Sequence, residues 1–323
     1  MGLIRRLLHF KSLRGDRCPQ VVLAGLLLGP LLIAQHAVAL SFANVVSIGD
    51  SLVNLFGTDR GPIVAEHLAD RLGVSNTNFF TANFATTQAV VDSGAHISAA
   101  ASFGPGDLAV LWFGGNDFLA EGNNIAAGDF TFLAQSESNY SIVLDTLRDA
   151  GVDVLVLNLF DVNIAPQGIA QIPDALRSVF RAATQDWNGR LQALAASRGA
   201  AYADVFQRFD AINANPADFS ILGVDPILAP FSGCDECLFF DQEHISTLGQ
   251  AYATNASIEV LNGFFDPEGG MPLAELSQPE IAALTNIPEP DTSTLIGLGL
   301  VLVCLQSRSR GVCGRRLRPE HRS

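Results

Sequence analysis

The chain has 323 residues, of which 48% are apolar, 16% charged and 8% aromatic, a balance that excludes a disordered or low-complexity protein. The formal charge is -14, and eleven of the 19 Lys and Arg sit in two end clusters, Arg5 to Arg17 and Arg308 to Arg322. The stretch between them is more acidic still, and a body of that sign repels polyphosphates, which argues against nucleic acid as a partner.

Residues 1–39 have the layout of a secretory signal peptide: a basic stretch, an apolar run from Val21 to Ala34, and Ala37-Val38-Ala39 as a small-x-small cleavage site. Gly29-Pro30 interrupts a run already shorter than the roughly 20 apolar residues of a spanning helix. The mature chain is expected to begin at Leu40 and to be exported. The stretch 40–286 is then about the upper size of one domain, long enough to bury a sizeable core.

Within it, Asn44-Val45-Val46-Ser47-Ile48 is a β-branched run ending in Gly49, the pattern of a buried strand. Pro62 opens a helical pattern with Ile63, Val64, Leu68 and Leu72 on one face, and Gly73 stops it. His67 in that helix is expected to be solvated. Further strands are expected from Asn78 to Phe84, Leu108 to Phe113, Val154 to Leu159 and Ala201 to Phe206. Helical patterns run from Tyr140 to Ala150 and from Ala175 to Arg198. Continuous apolar strands separated by amphipathic helices predict an α/β fold with a mostly parallel sheet covered on both faces. In such a fold catalytic groups gather beyond the carboxyl ends of the strands. No dinucleotide or phosphate-loop glycine pattern follows the first strand.

From Asn213 to Phe240 the sequence predicts a long irregular loop, of the kind that often carries function. It holds Cys234 and Cys237 in Gly233-Cys234-Asp235-Glu236-Cys237; Cys18, Cys304 and Cys313 belong to the two ends. A C-x-x-C pair serves as a redox couple, as half a zinc site or as a small disulfide. With no second ligand pair nearby and an oxidising compartment, a structural disulfide is expected.

The last segment, 287–323, runs Ile287-Pro288-Glu289-Pro290, an uncharged apolar stretch from Leu295 to Leu305, then arginines. This order resembles the PEP-CTERM sorting signal of bacterial exported proteins. The resemblance implies a transient membrane anchor, with the arginines held on the cytoplasmic side until a sorting protease cuts the tail. A simple C-terminal anchor is the alternative.

Three short blocks carry side chains with complementary chemistry. Gly49-Asp50-Ser51-Leu52 is a glycine-led turn after the first strand that would lift a serine hydroxyl to the top of the sheet. Gly114-Gly115-Asn116-Asp117 is a second tight turn with a side-chain amide. Asp241-Gln242-Glu243-His244 sets a carboxylate three residues before a histidine. A serine needs a base to lose its proton, and a histidine needs a partner that fixes its tautomer. As single blocks these are also ordinary turn formers, helix caps and a surface pair.

Taken together and in this order, the blocks resemble the GDSL esterase/lipase family, also called SGNH hydrolases, across essentially the whole mature domain. The resemblance implies hydrolysis of carboxylic esters on a three-layer α/β/α fold, with no metal or organic cofactor. By position it implies Ser51 as nucleophile, His244 as base and Asp241 as its orienting carboxylate, with the Ser51 N–H and Asn116 in the oxyanion hole. The sequence departs from the family in the second block, Asn83-Phe84-Ala85-Thr86-Thr87-Gln88-Ala89, which lacks the usual glycine. A backbone N–H from a threonine or the glutamine of the stretch Thr86 to Gln88, with Thr87 as the candidate, is expected in its place.

These observations predict a secreted serine esterase acting on a lipid, short-acyl or O-acetyl glycan ester. The alternative is an envelope binding or structural protein on an impaired esterase scaffold. Asp59, Asp92, Asp107 and Glu121 are expected to be solvated loop charges. Phe231, Leu238, Phe239 and Phe240 suit either an acyl pocket or the core. Oligomeric state is not legible.

Overall fold

The computed structural model describes residues 40–53, 61–81, 84–230, 234, 236–265 and 272–287. The signal-peptide segment 1–39, the sorting-signal residues 288–323, Asp59, Asn83 and Phe231 lie outside the described residues.

Five short strands, β1 (Asn44–Gly49), β2 (Ser75–Thr81), β3 (Leu108–Trp112), β4 (Asp153–Leu157) and β5 (Ala201–Ala203), form one parallel sheet in the order β2-β1-β3-β4-β5. Every residue of β3 is buried, as are Val45, Val46 and Ile48 of β1. That is why these strands read as continuous apolar runs and not as alternating ones. Two further strands, β6 (Ile227–Pro230) and β7 (Cys237–Phe239), pair parallel in a small sheet of their own.

The helices in chain order are α1 (Val64–Leu72), α2 (Thr87–Asp92), α3 (Ala95–Ser102), α4 (Gly115–Ala120), α5 (Gly122–Ala126) and α6 (Phe132–Asp149). They continue with α7 (Pro166–Gln171), α8 (Asp174–Arg198), α9 (Val205–Ala214), α10 (Thr247–Phe265) and α11 (Gln278–Thr285). The step from β1 to β2 runs one way along the sheet through α1, and the steps from β2 to β3, β4 and β5 run the other way. Right-handed crossovers therefore place α1 on one face and α2, α3, α6 and α8 on the other. The packing agrees: α1 lies against α10, while α2, α3 and α8 lie against α6. Strand order thus reverses around β1, and the crevice beyond the carboxyl ends of β1 and β3 is the place where such a sheet holds its ligand.

The core is one cluster spread over both faces. At its centre the Phe113 ring stacks on Tyr140 at 4.2 Å, and the buried Tyr140 hydroxyl donates to the Leu111 carbonyl at 3.2 Å. Each such ring is worth about 2 to 3 kcal/mol of burial.

Several expectations are corrected. The second strand occupies Ser75–Thr81, not Asn78 to Phe84, because the chain leaves the ladder at Thr81 and Phe84 takes φ 57°, which no strand accommodates. The strand expected to reach Phe206 stops at Ala203. There Asp204 accepts from the Gln207 N–H at 2.9 Å and starts α9. Two β-strands and a 3₁₀ turn, Pro216–Phe219, interrupt the expected irregular loop. His67 is buried, and burial pushes its imidazole down to about 4, so it stands neutral inside the fold and not in solvent. Asp107 is buried too, accepting from the Asn44 side chain at 2.8 Å and the Gly104 N–H at 2.9 Å, which fixes the entry to β3. Leu238 and Phe239 belong to the core, where the Phe239 ring meets Phe160 edge-on at 5.4 Å.

Candidate functional site

The turn after β1 is shaped by two features of its sequence. At Gly49 the backbone passes so close to β3 that a Cβ would sit 2.2 Å from the Trp112 carbonyl oxygen, so only glycine fits. Asp50 then folds its side chain back. One carboxylate oxygen accepts from the Leu52 N–H at 2.9 Å and the other from the Gly114 N–H at 3.3 Å. The 3₁₀ turn Ser51–Val53 follows, with the Val53 N–H on the Asp50 carbonyl at 3.2 Å. Its far side is held by buried Gln250 of α10. The Gln250 amide donates to the Leu52 carbonyl at 2.9 Å while its oxygen accepts from the Val64 N–H, at the start of α1, at 3.0 Å.

Asp50 therefore ties the β1 turn to the β3 turn, a role the sequence did not reveal because the partner lies 64 residues away. Burial pushes its carboxyl up to about 7, against the two backbone hydrogen bonds that favour the charged form.

The β3 turn begins at Gly114, which takes φ 116° and packs under the Trp187 ring. Its Asn116 amide donates to the Ala85 carbonyl at 3.1 Å, linking it to the segment before α2. Asp117 is buried beside it. Its carboxylate accepts from the Thr87 N–H at 2.8 Å and the Thr87 hydroxyl at 2.7 Å. This corrects the expectation for Thr87: its N–H is spent on Asp117, the residue is fully buried, and it does not reach the cleft.

The third block is a closed loop after β7. The Phe240 N–H donates to the His244 carbonyl at 2.8 Å, and the Ser246 N–H to the Leu238 carbonyl at 2.9 Å. Inside it, one Asp241 oxygen accepts from the Glu243 N–H at 2.9 Å and the His244 N–H at 2.8 Å. The other meets His244 Nδ1 at 2.6 Å. Burial opposes ionisation of Asp241, but the bonds from the His244 ring and from the two backbone N–H groups outweigh it and hold the carboxyl down at about 2. Cys234 and Cys237 form a disulfide that leads straight into β7, with the Cα atoms 5.3 Å apart.

Ser51, Asn116 and His244 all line one cleft of about 610 Å³ at the carboxyl end of the sheet, which Asp50 also lines. Asp241 stands behind His244. Glu243 and Phe84, to which the sequence assigned no role of their own, also line the cleft, and the positive φ of Phe84 sets that residue apart. Among the described residues no group of three or more His, Cys, Asp or Glu could hold a metal ion, and no helix is long and apolar enough to cross a membrane.

A family model described as the GDSL-like Lipase/Acylhydrolase family matches residues 47–226, a stretch that holds Ser51 and Asn116 and ends before Asp241. No curated protein matches the chain. Among solved structures it is similar to a member of the lipolytic protein G-D-S-L family from Veillonella parvula, at 16% identity over 68% of this chain and 98% of that one, with a TM-score of 0.46. It is also similar to Axe2, an acetylxylan esterase from Geobacillus stearothermophilus, at 12% identity over 68% of this chain and 94% of that one, with a TM-score of 0.47.

Proposed function

The chain belongs to the GDSL-like lipase/acylhydrolase family and is an ester-bond hydrolase, and on that premise we propose that it is an exported serine esterase working through an acyl-enzyme. The observation that carries this reading is the meeting of Ser51, Asn116 and His244 in one cleft, with His244 Nδ1 on Asp241 at 2.6 Å.

In the proposed cycle the Ser51 hydroxyl attacks the ester carbonyl carbon while His244 Nε2 takes its proton. Asp241 accepts from Nδ1, which fixes the tautomer whose Nε2 lone pair acts as the base, and steadies the imidazolium that forms. The negative charge on the carbonyl oxygen is received by the Ser51 N–H and by the Asn116 amide. One amide N–H of Asn116 is anchored on Ala85, and a primary amide carries a second. Collapse of the tetrahedral intermediate breaks the ester bond, and His244 returns its proton to the departing alcohol. Water, deprotonated by the same imidazole, then cleaves the acyl-serine. Asp50 and Gln250 touch neither carbonyl nor alcohol in this scheme; they hold the turn on which Ser51 stands.

Treatment with a fluorophosphonate tests the reading: mass spectrometry should find the label on Ser51, and Ser51→Ala should lose both label and turnover with an unchanged circular dichroism spectrum. A wild-type protein that neither labels nor hydrolyses activated esters would leave the impaired-scaffold alternative standing.

Export and sorting belong to the same proposal. Residues 1–39 would be removed on secretion, and the tail from Ile287 would hold the protein in the membrane until a protease releases it. Mass spectrometry of protein from the native envelope tests this, since a chain still ending at Ser323 would indicate a permanent anchor.

A further inference from the structure

Beyond its polar groups the cleft is walled by hydrocarbon: Leu119, Val162, Ile172, Leu176 and Phe180 all face it. This wall is fixed in place. At Gly168 the backbone approaches so closely that a Cβ would lie 1.9 Å from the Val162 carbonyl oxygen. The Asn163 amide bridges Asp161 and the Arg177 carbonyl, at 2.8 and 2.9 Å, and the Gln167 N–H donates to the Gln242 carbonyl at 2.8 Å, next to the His244 loop. The apolar surface therefore exists before any substrate arrives, as in most small-molecule sites.

Charge narrows the choice of occupant. The described lining carries two carboxylates, Asp50 and Glu243, and no lysine or arginine. An anionic group would find no lysine or arginine to pair with there and would stand beside Glu243. Asn123, Gln167 and Gln171 also line the cleft, but the hydroxyls of a sugar laid along the hydrocarbon stretch of wall would lose water without finding a partner, whereas hydrocarbon gains there with every methylene buried.

Phe84 adds an independent observation. It takes φ 57°, a conformation that is a genuine outlier for a bulky side chain, and its ring is 72% exposed while lining the same cleft. Burial in the free protein does not offset that cost. Backbone strain of this kind persists mainly where it serves a site. Phe84 also stands next to Ala85, whose carbonyl anchors the Asn116 amide, so its ring is carried on the turn that borders the reacting centre.

We infer that the cleft takes a neutral ester with an extended apolar acyl group, of about six to ten carbons, and that Phe84 is a specificity-determining residue covering that group at the mouth. This rests on the esterase reading above, and it selects acyl esters over O-acetyl glycans within it.

The test uses p-nitrophenyl esters from acetyl to dodecanoyl, so that only the acyl chain changes. Each methylene buried should raise kcat/KM by about two- to fourfold, giving octanoyl, with its longer chain, an advantage over acetyl on the order of 100-fold or more, with the rise ending once the chain outgrows the cleft. A flat series, or a maximum at acetyl in a protein whose Ser51 is labelled by fluorophosphonate, overturns the inference and leaves the esterase reading intact. No hydrolysis of any ester together with an unlabelled Ser51 overturns the esterase reading itself. For Phe84, the variant Phe84→Gly should keep or raise Tm, because glycine accepts the positive φ, and should lower the octanoyl-to-acetyl ratio of kcat/KM about tenfold. An unchanged ratio, or a Tm several degrees lower, would show that the ring does not contact the acyl group or that it packs structurally.

Discussion

The carboxylate of Asp117 grips Thr87 twice, through the backbone N–H at 2.8 Å and the hydroxyl at 2.7 Å. The Ser136 hydroxyl reaches the same carboxylate at 2.7 Å, and the Asn139 amide donates to the Thr87 hydroxyl at 3.1 Å. Four buried residues from α2, α4 and α6 thus form one satisfied polar network. It locks the segment before Thr87 against the turn that carries Asn116. The position lacking the family's glycine is held by side chains, and flexibility at Thr87 would add nothing to the site.

Thr87→Gly should therefore destabilise the protein without improving it. Removing the hydroxyl leaves Asp117 and Asn139 each short of a buried partner, at a cost of about 1 to 3 kcal/mol. Urea unfolding midpoints measure the loss, and turnover on one activated ester should not rise. An increase in turnover at unchanged stability would restore Thr87 as a donor to the cleft.

Asp50 should make stability depend on pH in a defined direction. Its carboxyl is raised from 3.8 to about 7 by burial, so between those values the folded protein holds a proton that the unfolded chain has released. Stability drawn from that proton is fully present at low pH and is lost as pH rises through about 7. Relative to Asp50→Asn, which does not titrate, the wild type should lose on the order of 2 kcal/mol between pH 5 and 8. The comparison is between urea midpoints of the two proteins at each pH. Parallel pH profiles would contradict a buried, titrating Asp50.

What could be read from the sequence and what could not divide along physical lines. The strands β1, β3 and β4 were legible because burial on both faces makes them unbroken apolar runs, and the meeting of Ser51, Asn116 and His244 in one cleft because each sits in a short motif with recognisable side chains. Helix α10 was missed. It is buried nearly all round from Leu248 to Ile258, and a helix without a polar face shows no 3.6-residue period. The role of Thr87 was misread because where an N–H points depends on a partner 30 residues away. Asp50 and Gln250 were invisible as supports for the same reason, since their hydrogen bonds join segments 64 and 198 residues apart.

The Asp241 carboxylate should matter more for rate than for fold. It organises its loop through three contacts, to the Glu243 N–H, the His244 N–H and His244 Nδ1. An asparagine offers one oxygen where the carboxylate offers two, and its amide facing Nδ1 would favour the wrong imidazole tautomer. Asp241→Asn should reduce kcat by about 10² to 10⁴ while leaving the circular dichroism spectrum unchanged. Because hydrogen bonds hold the carboxyl at about 2, its contribution to stability is present above the ordinary carboxylate range and is lost only as pH falls towards 2. Loss of activity at pH 5 should therefore not arise from Asp241. A variant with near wild-type kcat would remove Asp241 from the mechanism.

Asn116 offers the sharpest separation of catalysis from structure. Its amide is anchored on the Ala85 carbonyl, so Asn116→Ala removes the proposed donor to the developing oxyanion and also leaves a buried carbonyl without its partner. The first loss acts only in the transition state and should appear in kcat, by about 10²- to 10³-fold, with KM changed little. The second acts on the folded state as a whole and should appear in the urea midpoint, by about 1 to 3 kcal/mol. Measured at a temperature where both proteins are fully folded, the two effects do not mix: a destabilised but folded enzyme with an intact oxyanion hole would keep its kcat. A kcat within tenfold of wild type, accompanied by the expected drop in stability, would make Asn116 a structural link between the second and third blocks and would assign the oxyanion to backbone donors alone.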